Sequence, residues 1–235
     1  MAGWNTNKRF WKNAGYAAHE DGFAIQLDGR SLKTPAKTPV VVPTEELAKS
    51  IAAEWQAQGD QVDPLSMPFT RTANSALDKV AIQKSEVADM LADYGGTDLL
   101  CYRADAPTEL VARQAENWDP VLDWAADTLK ARLHPVSGVM FQPQNQEALE
   151  TLRAMVQRLT CFQLAAFHDL VCMSGSLVLG FAAVEGYCPA EACWTLSRLD
   201  ELWQEEQWGR DEEAHALSET KRLAFLHAHR FFKIS

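Results

Sequence analysis

Phe23-Ala24-Ile25-Gln26-Leu27-Asp28-Gly29-Arg30 alternates in the two-residue period of a strand and then meets Asp28-Gly29, the dipeptide that most favours a tight hairpin. Its reading decides the fold, because almost everything after it follows the period of a helix. Val40-Val41-Val42 is β-branched and supplies a further strand, while Pro35 and Pro39 confine the segment between to an edge or a loop. Residues 8–42 therefore predict a small antiparallel sheet. Arg30 and Lys33 follow the turn, but no Gly-rich loop opens a helix beside them, so a phosphate-binding role has no support.

Working outward, Thr44 has the character of an N-cap, with Glu45 and Glu46 in the first turn where the helix dipole favours negative charge. Leu47, Ala48, Ile51, Ala52 and Trp55 form one apolar stripe, which makes Trp55 a core anchor. Asp63-Pro64-Leu65-Ser66-Met67-Pro68 reads as extended and as a boundary. The expected fold class is α+β: a small antiparallel β-rich N-terminal domain with one helix (residues 1–68), followed by a larger all-α helical-bundle domain (residues 69–235). Within the latter, a long amphipathic pattern from Thr70 is broken at Gly95-Gly96, Pro107-Thr108 opens a helix that Asp119-Pro120 kinks or restarts, and Asn145 caps another. Phe162 to Glu185 is apolar nearly all round and predicts a central helix or helix pair. Gly175 and Gly180 there would allow a bend or close helix approach.

An apolar fraction of 47% supports a sizeable core. The formal charge of −10, from 22 Lys plus Arg against 32 Asp plus Glu, disfavours nucleic acid and anionic lipid as partners. Five cysteines without a Cys-x-x-Cys pair read as reduced thiols of a cytoplasm-like compartment. Met1 to Lys12 has no apolar signal core, and Leu170 to Val184 is shorter than the about twenty residues a spanning helix needs, so no membrane insertion is expected.

The candidate functional stretch is Leu199-Asp200-Glu201-Leu202-Trp203-Gln204-Glu205-Glu206-Gln207-Trp208-Gly209-Arg210-Asp211-Glu212-Glu213, where two tryptophans meet a dense set of carboxylates at a helix end. With Leu196 to Trp208 as one helix, Leu196, Leu199, Trp203 and Gln207 share a face, and Gly209 ends it. The competing reading is a helical metal-dependent or hydrolytic enzyme using Glu212 and His215, which have the Glu-x-x-His spacing of di-iron bundles. That chemistry needs a second such motif, and none of the other histidines has Glu three residues before it. His168-Asp169 lie about 100° apart on a helix and are not expected to pair, which leaves His168 as a satisfied core histidine. No cofactor-binding loop, nucleophile elbow or signalled cysteine partner is present, so no cofactor and no catalysis are expected.

Taken together, Lys8-Arg9-Phe10-Trp11-Lys12, Asp28 to Pro35, Glu54-Trp55 with Gln58, Met67-Pro68-Phe69-Thr70 with Asp78, Thr97 to Arg103, Trp118-Asp119-Pro120 with Trp124, Leu177 to Ala182, and Ser197 through Trp208-Gly209 to His215 resemble, in order, the chaperone family that assembles the F-one catalytic sector of ATP synthase. The resemblance implies a non-catalytic chaperone that transiently binds the free alpha subunit until beta subunits replace it, acting as a monomer. It also implies the two-part fold reached above. Mitochondrial members carry a presequence, whereas this chain begins at the shared Lys-Arg-Phe motif, which points to a bacterial cytoplasmic member. Partner-binding residues expected on this basis are Glu201, Glu205, Trp208, Asp211 and Glu212.

Overall fold

The computed structural model describes residues 8–138 and 140–235; Met1 to Asn7, part of the segment read for an export signal, lie outside the described residues. The described chain forms two compact units. One holds residues 8–84 with Thr160–Ala166 and Arg230–Ser235, and the other Ser85–Leu159 with Phe167–His229. The first division therefore falls at Lys84 and not at the Pro68 expected from composition, and the units are discontinuous in sequence.

The first unit is built on β1 (Ala14–His19), β2 (Gly22–Leu27), β3 (Arg30–Ser31) and β4 (Val41–Val42). β1 pairs antiparallel with β2 from Ala14↔Leu27 to His19↔Gly22, β3 returns along β2 with Leu27↔Arg30, and β4 pairs the start of β2 through Phe23↔Val42. Asp28 and Gly29 both have positive φ, 48° and 77°, as a two-residue I′ hairpin demands. The Asp28 carboxylate accepts the N–H groups of Lys12 and Asn13, at 3.0 and 2.8 Å to its nearer oxygens. Those two bonds hold its carboxyl below the usual range. Its contribution to stability is therefore present above the ordinary carboxylate pKa and lost as pH falls through the depressed folded value. Asp28→Asn keeps the turn chemistry and removes the charge, so thermal melts should show a flatter acid-side decline than the parent.

α1 (Glu45–Gln56) lays Leu47, Ala48 and Ile51 on the sheet, where they join Ile25, Leu27, Val40, Val42, Met67 and Phe231 in one cluster. Thr44 caps it, accepting from Leu47 N–H at 3.2 Å and donating to the carbonyl of Ile234. Trp55 is half-buried at the cluster's edge, its ring 5.0 Å from that of buried Trp11, whose Nε1 donates to the Trp55 carbonyl. Trp55→Arg puts a charge against this pair, and denaturant melts should show a loss of about 2 kcal/mol. Proline at the start of α2 (Pro68–Ser75) is joined by Glu54, which accepts Phe69 N–H, Thr70 N–H and the Thr70 hydroxyl at 2.6, 2.8 and 2.7 Å. The expected extended link before it contains a 3₁₀ turn at Pro64–Ser66. The long helix read from Thr70 is interrupted: a π-helical turn at Ala76–Val80, with Ala81 N–H reaching back to Ala76, separates α2 from α3 (Lys84–Ala92).

The second unit adds α4 (Thr108–Trp124), α5 (Gln146–Arg158), most of α6 (Cys161–Ser174), α7 (Leu177–Glu185), α8 (Ala190–Ser197), α9 (Leu199–Trp208) and most of α10 (Glu212–Ile234). It is not wholly helical: β5 (Tyr102–Arg103) and β6 (Val136–Ser137) form a two-residue parallel pair that no period in the sequence announces. α4 runs through Pro120 to Trp124. The apolar segment is a helix pair, α6 and α7, turned by Gly175 at φ 70°. α7 approaches α6 so closely that a Cβ on Gly180 would sit 3.0 Å from Val171 and 3.2 Å from Phe167, which is why glycine stands there. Cys188 and Cys193 are joined as a disulfide, correcting the reading of five reduced thiols. Their Cα atoms are 6.5 Å apart across the first turn of α8, within bridging range.

Candidate functional site

The acidic, tryptophan-bearing stretch spans two helices and a turn. The single helix expected from Leu196 to Trp208 is broken at Arg198, where Ser197 Oγ donates to the Trp194 carbonyl at 2.7 Å and Arg198 N–H to that of Thr195. α9 therefore starts afresh, and of its ten residues only Leu199 is buried. What holds it is polar contact with α4. Arg113 makes a two-pronged ion pair with Glu206 at 2.6 and 2.8 Å and lays its guanidinium 5.5 Å from the centre of the Trp203 ring. That pair holds the Glu206 carboxyl below its usual range. Buried Gln114 donates to Asp200 at 2.7 Å and accepts from Ala104 N–H at 2.8 Å. Trp118, fully buried, donates its indole N–H to the Leu196 carbonyl at 2.9 Å.

These contacts sort the expected partner-binding residues. Glu201 is paired with Arg198 at 2.6 Å, and Asp200 and Glu206 are engaged by α4. Asp211 caps α10, accepting from Glu213 N–H at 2.9 Å and Ala214 N–H at 3.1 Å. Glu205 has no ion-pair partner among the described residues. Glu212 is 84% exposed with only a long 3.7 Å approach to Arg210. Trp208 is 78% exposed at the end of α9, where Gly209, at φ 89°, closes the helix on the Glu205 carbonyl. Trp203 is half-buried under Arg113, so the two tryptophans have different roles.

Sequence reasoning did not single out two exposed leucines of α10. α10 turns Phe225, Ala228 and Phe231 inward, and Arg222 ties it to α8 through Glu191 at 2.7 Å. Leu217 and Leu223 are left 58% and 57% exposed, next to exposed Ala216, Thr220 and Ala224. Leu223 falls off the stripe defined by Phe225, Ala228 and Phe231, whereas Leu217, two heptads before Phe231, lies on its line and is nevertheless left uncovered.

Among the described residues no three His, Cys, Asp or Glu side chains converge as a metal-binding set, and no helix is long and apolar enough to cross a membrane. An open groove of about 540 Å³ in the first unit is lined by Glu46, Lys49, Ser50, Glu54, Phe69 and Arg230. Glu54 there is engaged with the start of α2, and Ser50 donates to a backbone carbonyl at 3.0 Å. The reading of His168 is corrected. It is half-exposed, and its Nδ1 lies 3.1 Å from Asp169 Oδ1, because the long imidazole reaches back over the helix surface despite the divergence of neighbouring Cβ atoms.

A family model described as ATP12 chaperone protein matches residues 8–126. Over 222 residues the chain is 32% identical to the mitochondrial protein atp12 of Schizosaccharomyces pombe, a match covering 89% of this chain and 76% of that protein. The crystal structure of Atp12 from Paracoccus denitrificans superposes with a TM-score of 0.95 at 50% identity, covering 99% of both chains. That of the Atu1473 protein from Agrobacterium tumefaciens gives 0.91 at 42%, covering 97% of this chain and 85% of the other.

Proposed function

The chain belongs to the ATP12 chaperone family, and from that premise we propose that it serves the assembly of the ATP synthase catalytic sector by capturing the free alpha subunit. The observation that carries this reading is the surface at the end of α9: Trp208 is 78% exposed, and among the described residues Glu205 has no ion-pair partner and Glu212 only the 3.7 Å approach of Arg210. A lone subunit exposes the face it will bury against its neighbours, which is an aggregation hazard. A chaperone must cover that face with aromatic anchors inside a charged rim, and still yield to the better-matched subunit. Glu205, Trp208 and Glu212 are the proposed contacts. Glu201 and Asp211 join them through the carboxylate oxygens left free by Arg198 and by the α10 cap. The proposed site of action is the bacterial cytoplasm.

The test is a pull-down of purified alpha subunit on the immobilised protein, repeated with beta subunit added. Retention without beta and release with it is the expected result. A complex that survives saturating beta would make the protein a stable subunit instead, and no retention at all would remove the alpha subunit as client.

A further inference from the structure

Cys172, two residues before the end of α6, is the exposed member of the free cysteines among the described residues; Cys101 is buried and Cys161 half-buried. Its Sγ lies 3.6 Å from Nε2 of His168, one helical turn earlier, and 3.6 Å from the hydroxyl of Tyr94. The other ring nitrogen of His168 is held 3.1 Å from Asp169 Oδ1. The carboxylate thus orients the imidazole with Nε2 toward the sulfur and stabilises its protonated form. The bonds to Asp169 and Cys172 push His168 up to about 10. Burial alone would raise the Cys172 thiol, but the bonds from His168 and Tyr94 outweigh it and the thiol is lowered. Cys101 is the contrast: desolvation and the nearby Asp98 push its thiol up to about 12. A cysteine paired with a cationic imidazole and open to solvent is the microenvironment of a reactive thiolate.

We propose that Cys172 is an activated surface thiol that exchanges with low-molecular-weight disulfides such as glutathione disulfide. The Cys172 thiolate attacks one sulfur of the incoming disulfide. A new Sγ–S bond forms as the old S–S bond breaks, and the departing thiolate takes a proton from the His168 imidazolium or from water. The incoming disulfide is the oxidant, so two electrons are accounted for without another reagent. The open helix face suits a small, freely diffusing disulfide; acyl-transfer chemistry would need an enclosed substrate and oxyanion donors. The inference is independent of the client assigned above, because it concerns a cluster on α6 and the turn bearing Tyr94.

The experiment uses the full chain under limiting dithiodipyridine, with the modified residue located by peptide mass spectrometry, and then excess glutathione disulfide. Cys172 should be labelled first, and at about pH 6 faster than the thiol of free glutathione, by fivefold or more on the order of magnitude that thiolate fraction dictates. His168→Gln should remove that advantage, and parent and variant should converge at alkaline pH, where both thiols ionise; Tyr94→Phe should give a smaller loss. The parent measurement stands whether or not the variants fold. A parent Cys172 no faster than free glutathione at about pH 6, or a folded His168→Gln with an unchanged rate, would overturn the activation. Absence of a glutathione adduct on Cys172 would overturn the substrate class.

Discussion

Asp98→Ala should destabilise the protein by about 4 kcal/mol, which for a chain of this size lowers Tm by about 8–16 °C. The residue is fully buried between a 3₁₀ turn and the start of α7. Every residue from Leu177 to Val184 is buried, so the N–H groups that begin α7 cannot turn to water as those of a surface helix do. Ser176 satisfies Leu179 N–H at 2.9 Å, and Asp98 satisfies Val178 N–H at 3.0 Å while its other oxygen takes Leu100 N–H at 3.0 Å. Alanine would leave both donors enclosed without an acceptor, each at a cost of about 1–3 kcal/mol. Asp98→Asn retains one oxygen and should lose about half as much. Burial raises the Asp98 carboxyl above its ordinary range against the opposing donors. The fold is therefore favoured by its proton, and this contribution declines as pH rises from the ordinary carboxylate value through the raised one. Melts of the asparagine variant across that window should lack the slope. A melt of Asp98→Ala within about 1 kcal/mol of the parent would show that water replaces the carboxylate.

Trp208→Ala should weaken capture of the alpha subunit by about thirtyfold, the loss of about 2 kcal/mol that marks an aromatic anchor at an interface. Its 78% exposure means that the same change should leave the thermal melt within about 0.5 kcal/mol of the parent, since nothing internal rests on the ring. Glu212→Lys should weaken capture about tenfold, chiefly through slower association that high salt masks, because a rim charge steers encounter more than it holds the complex. Glu206→Lys is the contrast. It breaks the pair with Arg113 and loosens α9 itself, so capture and the circular-dichroism melt should fall together. Titration calorimetry or surface binding with purified alpha subunit separates these outcomes. Trp208→Ala capturing as the parent does would move the contact away from the end of α9, and toward Leu217 and Leu223 if substitutions there weaken it.

The hairpin at Asp28-Gly29, the cap at Thr44, the cap at Asn145 and the bend at Gly175 were all legible, because each depends on residues adjacent in the chain or one turn apart; the close approach at Gly180 was legible from its place in a continuous apolar helix pair, although the neighbours it meets, Val171 and Phe167, were not. The motif residues behind the family resemblance were legible as a pattern but not as roles. Most of them bear on architecture: Asp28 on Lys12 and Asn13, Thr34 on Asp78 at 2.6 Å, Glu54 on Thr70, Asp98 on α7, Arg103 on Asp119 at 2.7 Å. Each pair joins residues far apart in sequence, so no local period reveals it. The His168 to Cys172 spacing is visible as i and i+4, but the hydroxyl that completes the sulfur's surroundings comes from Tyr94, 78 positions away, which no local spacing reveals.

By itself the sequence determined the α+β class, the order of most elements and the family. Those follow from hydrophobic period, turn chemistry and capping, which act over a few residues. Only the tertiary structure decided which carboxylates of the stretch from Leu199 to Glu213 are engaged by Arg113, Gln114 and Arg198 and which are not. It also decided that the helix entering the surface is broken at Arg198 and that the unit boundary lies near Lys84. The reason is physical. A charge is committed by whatever comes within about 4 Å of it in the folded chain, and Arg113 reaches Glu206 across 93 positions of sequence.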